Sequence, residues 1–357
     1  MTTEPTPASA TAASSAAAIE QAAHAIVEAA IEQFYALHPD LRQRHGPRGV
    51  AVCREDCLYH IEFLAAAIRN GSVDAFVQYI RWVDGVLRAH AGGSHGLGQM
   101  LELLGQGIRR SAGEAAWTAA QPTLDAALAA LQGQVEGHGL YAMPPTSALA
   151  RSYLRAILQG NRLLAQQLIL DAVREGMPLR QVYLEVFQPA LYEVGQLWET
   201  GQISVAQEHL ATAITQTILA ALYAQTPLAP GRGQRAIVAC LSGNHHEIGA
   251  RMAADFLQWA GFDTLYLGAN TPEASFLAMV DDFKPHVVGL PSSLPRHIEG
   301  VRAVIEQIHA DFRRDRPTIL VGGLAFNLVD GLWRQVNADV WSHNAGEAVD
   351  RLVGAAA

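Results

Sequence analysis

Lysine is almost missing from this chain. Lys284 is the only one in 357 residues, and Asp plus Glu outnumber Lys plus Arg by 34 to 25, a formal net charge of −9. A non-specific hold on DNA needs clustered Lys and Arg to displace counterions from phosphates. The densest basic pairs, Arg109-Arg110 and Arg313-Arg314, read as solvated faces, so direct nucleic-acid binding is not expected. Cysteine is equally scarce. Cys53, Cys57 and Cys240 are an odd and sparse set, which argues against a disulfide framework and for a cytoplasmic setting. Cys53 and Cys57 stand one helical turn apart and lack the further Cys or His partners of a zinc site. No stretch reaches 18 consecutive apolar residues, so no membrane span is expected. Residues 1–17, rich in Ala, Thr and Ser, lack the charged start and apolar centre of a signal peptide and read as a disordered tail.

What remains is half apolar and long enough for two or three domains. From residue 233 to 357, short apolar runs alternate with helical stretches. The runs are 236–240, 264–267, 287–290 and 318–321, and the helical patterns cover 247–260, 272–283 and 297–313. That alternation predicts an α/β doubly wound parallel sheet. Residues 145–228 read as a four-helix segment with breaks at Gly160-Asn161, Gly176-Met177-Pro178 and Gly201-Gln202. In front lies a separate all-α domain over 18–137, with helix patterns at about 18–37, 55–70, 73–91, 96–111 and 113–134. Gly137-His138-Gly139 and Pro144-Pro145 mark a linker. The chain is thus read as multidomain.

Three spaced pieces carry the chemistry. Asn244-His245-His246-Glu247-Ile248-Gly249 follows the first predicted strand, Ser292-Ser293-Leu294 the third, and Gly322-Gly323 the fourth. Their order resembles the cobalamin-binding signature Asp-x-His-x-x-Gly, Ser-x-Leu, Gly-Gly. The resemblance implies that His246 coordinates cobalt from below, with the displaced nucleotide tail entering a slot at the strand ends. Gly249, Gly322 and Gly323 would allow close backbone approach, with Ser292 and Leu294 lining the slot and Ser292 offering a hydroxyl. Where the family usually places a carboxylate to orient the histidine, this chain has Asn244.

Trp198, followed by nine residues and then Glu208-His209, resembles the helical cap of adenosylcobalamin photoreceptors of the CarH and LitR group. There, Trp packs beside the adenosyl group and Glu and His line its pocket, which maps onto Trp198, Glu208 and His209. Some members carry a histidine after that Trp as the upper ligand in light. Here it is Glu199, so His209 or water would serve instead.

In the front domain, Cys53-Arg54-Glu55-Asp56-Cys57-Leu58-Tyr59-His60 resembles the chromophore segment of phycobiliproteins, which are globin-like. It implies a bilin held by Asp56 and Arg54, with Cys53 or Cys57 as an attachment site or a buried small residue, non-covalent binding being favoured. Tyr59, His60, Tyr79, Arg81 and Trp82 would supply walls, Trp82 and Asp84 arriving from the next helix. The alternative is an ordinary bundle with Cys53–Asp56 capping a helix start.

A bilin domain joined to such a cobalamin unit resembles the photocobilins. That implies a light sensor using adenosylcobalamin and biliverdin or a related bilin, signalling through change of shape and assembly as a homo-oligomer, dimer or tetramer. No output catalytic domain is read in the chain, nor room for the barrel of adenosylcobalamin mutases, so no enzyme activity is expected; a downstream protein partner is. Two alternatives stay open: a corrinoid protein carrying methylcobalamin for a methyltransferase system, and a cobalamin-responsive scaffold indifferent to light.

Overall fold

The computed structural model describes residues 7–90, 96–133, 145–224, 226, 228–294, 297–312, 315–328 and 331–354. It divides into two compact units, Met1–Leu140 and Tyr141–Ala357. Most of the expected linker, 137–144, lies outside the described residues.

The first unit is all helix: α1 (Pro7–Gln21), α2 (Ala23–Leu37), α3 (Pro39–Asn70), α4 (Val73–His90), α5 (Leu97–Ser111) and α6 (Glu114–Gln132). Two expectations change. The stretch read as a disordered tail is helical from Pro7, and Ser15, Ala16 and Ile19 are buried. Alanine needs little side-chain ordering to join a helix, and burial of this face supplies what a charge-poor segment lacks alone. The helix start placed near Cys53–Asp56 is instead the middle of α3, whose break sits at Gly46, φ 60°, before Pro47. The core gathers one stripe from each helix, including Ile26, Phe34, Leu64, Phe76, Leu101 and Leu124.

The second unit opens with the four expected helical segments. They are α7 (Ala148–Leu158), α8 (Arg162–Arg174), a third built from α9 (Leu179–Val182), a π turn at Tyr183–Phe187 and α10 (Gln188–Glu199), and α11 (Val205–Tyr223). Pro189 at the start of α10 has no N–H to offer, which accounts for the widened turn before it. Side-chain caps from Ser147, Asn161 and Ser204 start three of these helices, so the polar breaks in the sequence are helix starts.

Five parallel strands follow: β1 (Arg235–Val238), β2 (Asp263–Tyr266), β3 (Val287–Pro291), β4 (Thr318–Gly322) and β5 (Val340–Ser342). Between and after them come α12 (Ile248–Trp259), α13 (Glu273–Phe283), α14 (Ile298–Asp311), α15 (Leu324–Leu328), α16 (Leu332–Gln335) and α17 (Ala345–Gly354). The sheet order is β2-β1-β3-β4-β5. β1 is covered on both faces, which is why it has no polar alternation. Ala236, Val238 and Cys240 pack with α12, α17 and the helical cap. Ile237, Ala239 and Leu241 pack with α13 and α14. The cap and one face of the sheet thus share a single core.

Candidate functional site

Strand order reverses direction at β1 and β3, the point in an open α/β sheet where a crevice forms beyond the carboxyl ends of the strands. The loops carrying His246, Ser292 and Gly322-Gly323 leave β1, β3 and β4 at that end. The three sequence pieces are therefore brought to one sheet edge.

Ser292 is its most informative member. Its backbone is fully engaged: its N–H donates to the Gly322 carbonyl at 2.9 Å and its carbonyl accepts from Ala325 N at 3.1 Å. The residue is 1% exposed, yet its Oγ has no hydrogen-bond partner among the described residues. A buried hydroxyl left alone costs roughly 1–3 kcal/mol, so the position suits a ligand acceptor. The two glycines answer to the protein backbone itself. Gly323 has φ +83°, and a Cβ there would lie 2.6 Å from the Ser292 carbonyl oxygen. At Gly322 it would lie 2.9 Å from the Ser342 carbonyl oxygen. Gly249 differs: no atom lies within 4 Å of where its Cβ would be, so nothing in the protein demands a glycine there. Leu294 is half-buried on the β3 loop.

His246 is exposed on the β1 loop, and its neighbours shape the backbone around it. Asn244, 1% exposed, accepts from the His246 N–H through Oδ1 at 3.2 Å and donates from Nδ2 to the Pro291 carbonyl at 3.1 Å. A carboxylate has no proton for the second bond, so the departure from the family pattern has a local use: Asn244 ties the His246 loop to the end of β3. Asn270 adds a further hold, donating to the Asn244 carbonyl at 3.1 Å and accepting from Gly243 N at 2.8 Å.

One residue escaped sequence reasoning. Glu247, next to His246, accepts from Gln216 Nε2 on cap helix α11 at 2.7 Å and from the Tyr266 hydroxyl at 2.9 Å. The available signal was Gln216 itself, a polar side chain among the buried Ile214, Thr215, Ile218 and Leu219.

On the cap, Trp198 closes α10 half-buried against the core shared with the sheet. The chain turns at Gly201, φ 70°, and restarts at Ser204, whose capping box with Gln207 fixes α11. Glu208 and His209 thus fall in the first turn. Glu208 pairs with His209 Nδ1 and accepts from Thr212 Oγ1 at 3.0 Å.

Residues 149–223 match the family model described as "B12 binding domain", and residues 234–353 match a second of the same description. Residues 149–223 and 234–353 are B12-binding domains. The HTH-type transcriptional repressor CarH of Myxococcus xanthus is 30% identical over 186 residues, 52% of this chain and 60% of that protein. The chain therefore spans less than two thirds of that relative. The repressor CarA of the same organism is 35% identical over 44% of this chain and 51% of its own length. Dimethylamine corrinoid protein 3 of Methanosarcina acetivorans is 26% identical, covering 51% of this chain and 86% of that protein. Among solved structures, the monomethylamine corrinoid protein of Methanosarcina barkeri superposes with a TM-score of 0.51 at 18% identity. It covers 58% of this chain and 98% of its own, and bears on the fold alone.

The B12-binding domains leave the first unit to be read from its own geometry. Cys53 and Cys57 share the inner side of α3, half-buried and buried. A hydrogen bond between them holds the Cys53 thiol below its ordinary range and, with burial, pushes Cys57 well above it. His60, one turn on, is 5% exposed and bonds through Nδ1 to the Tyr79 hydroxyl at 2.8 Å. Burial lowers its pKa from the ordinary 6.5 to about 4, so it is neutral at pH 7. Tyr79 stacks on Phe63 at 3.6 Å and lies 6.0 Å from the Trp82 ring. The Trp82 Nε1 is buried without a partner among the described residues. Arg54 and Asp56 do not join this cluster. Arg54 pairs with Glu28 of α2, and Asp56 is exposed on α3. Tyr59 is half-buried, Arg81 exposed, and Asp84 pairs with Arg88 at 2.7 Å.

No helix among the described residues is long and apolar enough to cross a membrane.

Proposed function

We propose that this protein is a cobalamin-dependent light sensor of the CarH kind. It would hold adenosylcobalamin between the cap and the strand ends and add a bilin, biliverdin or a relative, in its first unit. The observation that carries the cofactor assignment is Ser292, a buried hydroxyl with no partner among the described residues, in a glycine-fitted crevice beside the His246 loop. What favours light sensing over other uses of B12 is the Trp198, Glu208 and His209 set, together with 30% identity to CarH.

Cobalamin, when bound, supplies a cobalt–carbon bond that light can break. Around it the chain has defined tasks. His246 would supply a nitrogen ligand to cobalt, and Asn244 sets its loop against β3. Ser292 donates its hydroxyl to the nucleotide tail. Trp198 on the cap would pack beside the upper group, with Glu208 and His209 in the first turn of α11 lining its pocket. A change in the group held beside Trp198 would alter its packing, and the cap would then shift between two arrangements of different stability. That repacking would alter how copies of the chain assemble and what partner protein they engage. The chain acts as a sensor rather than an enzyme in this reading.

For the bilin, the support is local: the buried Trp82 Nε1, the Tyr79 and Phe63 walls, and a low-pKa thiol at Cys53. The separation of Arg54 and Asp56 from that cluster favours a pocket on the His60–Trp82 side over the motif-centred one.

The test is an absorption spectrum of protein reconstituted with adenosylcobalamin and biliverdin, before and after green light. Cobalamin bands that change on illumination beside a red bilin band are expected. A light-inert spectrum without a bilin band would overturn the proposal. It would favour the second reading, a carrier of methylcobalamin, which the corrinoid relatives, matched over up to 95% of their own length, keep in view.

A further inference from the structure

α12 begins two residues after His246, and both its ends are tied to the cap. At the start, Glu247 occupies the N-cap position but makes no side-chain cap. Its carboxylate turns away from the helix to Gln216 Nε2 at 2.7 Å and the Tyr266 hydroxyl at 2.9 Å, and that hydroxyl also reaches the Glu247 carbonyl at 3.3 Å. Two turns further on, buried Asp255 accepts from the hydroxyl of Tyr183, in the π turn of the cap, at 2.9 Å and from Arg251 at 3.0 Å. Arg251 lies over the rings of Tyr223 and Tyr266 at 5.5 and 5.7 Å.

Glu247 turns its carboxylate not to the first N–H groups of α12 but to a charge-assisted bond across to another segment. Gln216 lies seven residues beyond His209, two turns along α11 and on nearly the same helix face. The helix that presents Glu208 and His209 therefore also grips the residue beside His246.

We propose that Glu247 is the positioning residue for His246, and that the Gln216–Glu247 hydrogen bond couples the cap to the lower ligand. The proposal rests on His246 being that ligand. Glu247 fixes the loop end, so His246 meets cobalt at one height, and displacement of α11 pulls on that loop through Gln216. Tyr266 holds the same carboxylate from β2, so the residue is fixed against the sheet while its other oxygen follows the cap.

The experiment uses the full chain labelled with 15N-histidine, titrated with hydroxocobalamin and then reduced to Co(II) for electron paramagnetic resonance. The unsubstituted protein should show splitting from one 15N histidine nitrogen on cobalt. Glu247→Met should weaken hydroxocobalamin binding 10–100-fold, the range for loss of a ligand's outer partner, and diminish or broaden that splitting. Gln216→Met, which leaves the loop and its tyrosine bond intact, should act in the same direction more weakly. The double variant should be no worse than Glu247→Met alone, and Glu247→Gln, keeping one acceptor, should recover part of the signal. Should Glu247→Met fail to fold, Gln216→Met carries the test. Folded variants with unchanged affinity and splitting would overturn the coupling alone. A histidine signal absent from the unsubstituted protein would overturn the coupling and the ligand assignment together.

Discussion

Ser292 in the second unit and Trp82 in the first each hide a polar atom with no partner among the described residues, and their surroundings are built differently. In the second unit, Ser292 Oγ sits where three strands end, with its backbone bonded on both sides and two glycines admitting the neighbouring chain. In the first, Trp82 Nε1 sits among side chains, beside a stacked Tyr79–Phe63 pair and a neutral buried histidine. A crevice framed by backbone persists when empty, because strands cannot close on it without breaking their ladder. A pocket framed by rotatable aromatic side chains in a bundle can fill itself. The contrast explains why the cobalamin motif maps onto one edge, while the bilin motif splits between buried Cys57 and His60 and outward Arg54 and Asp56.

The largest effect should come from attacking the backbone frame. Gly323→Ala places a Cβ at 2.6 Å from a carbonyl oxygen in the left-handed region, and should cost about 2–4 kcal/mol of stability in the second unit. Chemical denaturation of the full chain checks this, and a transition like that of the unsubstituted protein would mean the Ser292–Gly323 approach is relaxed in solution.

Next in size is a pH effect confined to the first unit. His60 has its pKa lowered from 6.5 to about 4, so between those values the unfolded chain binds the extra proton. Stability contributed by neutral His60 is present above pH 6.5, falls as the pH drops through the window, and is lost below about 4. About 3 kcal/mol is at stake. Replacing His60 with Asn should flatten the pH dependence of the first unit's unfolding and leave the second unit's alone; equal slopes would break the assignment.

The smallest effects sharpen the comparison most. Ser292→Ala removes an unpartnered buried hydroxyl and should stabilise the ligand-free protein by about 1 kcal/mol, whereas in Trp82→Phe the loss of ring volume against the core offsets the gain from removing the unpartnered N–H. Ser292→Ala should at the same time weaken cobalamin binding, and Trp82→Phe should weaken biliverdin binding if the indole N–H faces it. Calorimetry paired with spectral titration reads both effects. Unchanged binding at either position would mark that orphan as a packing defect rather than a ligand contact.

Much of this protein was legible from residues alone. Unbroken apolar runs announced strands buried on both faces, and polar breaks at Gly160-Asn161 and Gly201-Gln202 announced where one helix gives way to the next, because these are local preferences of backbone and side chain. β5 was missed because a three-residue edge strand carries too short a pattern, and α1 because alanine-rich helices have little amphipathic signal. Spacing also placed His246 and Ser292 just after strands and Gly322-Gly323 at the end of one. Tertiary structure alone decided that cap and sheet share one core, that Asn244 reaches Pro291, and that Glu247 is gripped by Gln216 thirty-one residues earlier. It also separated Asp56 from His60. Such facts depend on which helix faces meet and at what rotation, and that is settled by packing across the whole unit rather than by any window of sequence.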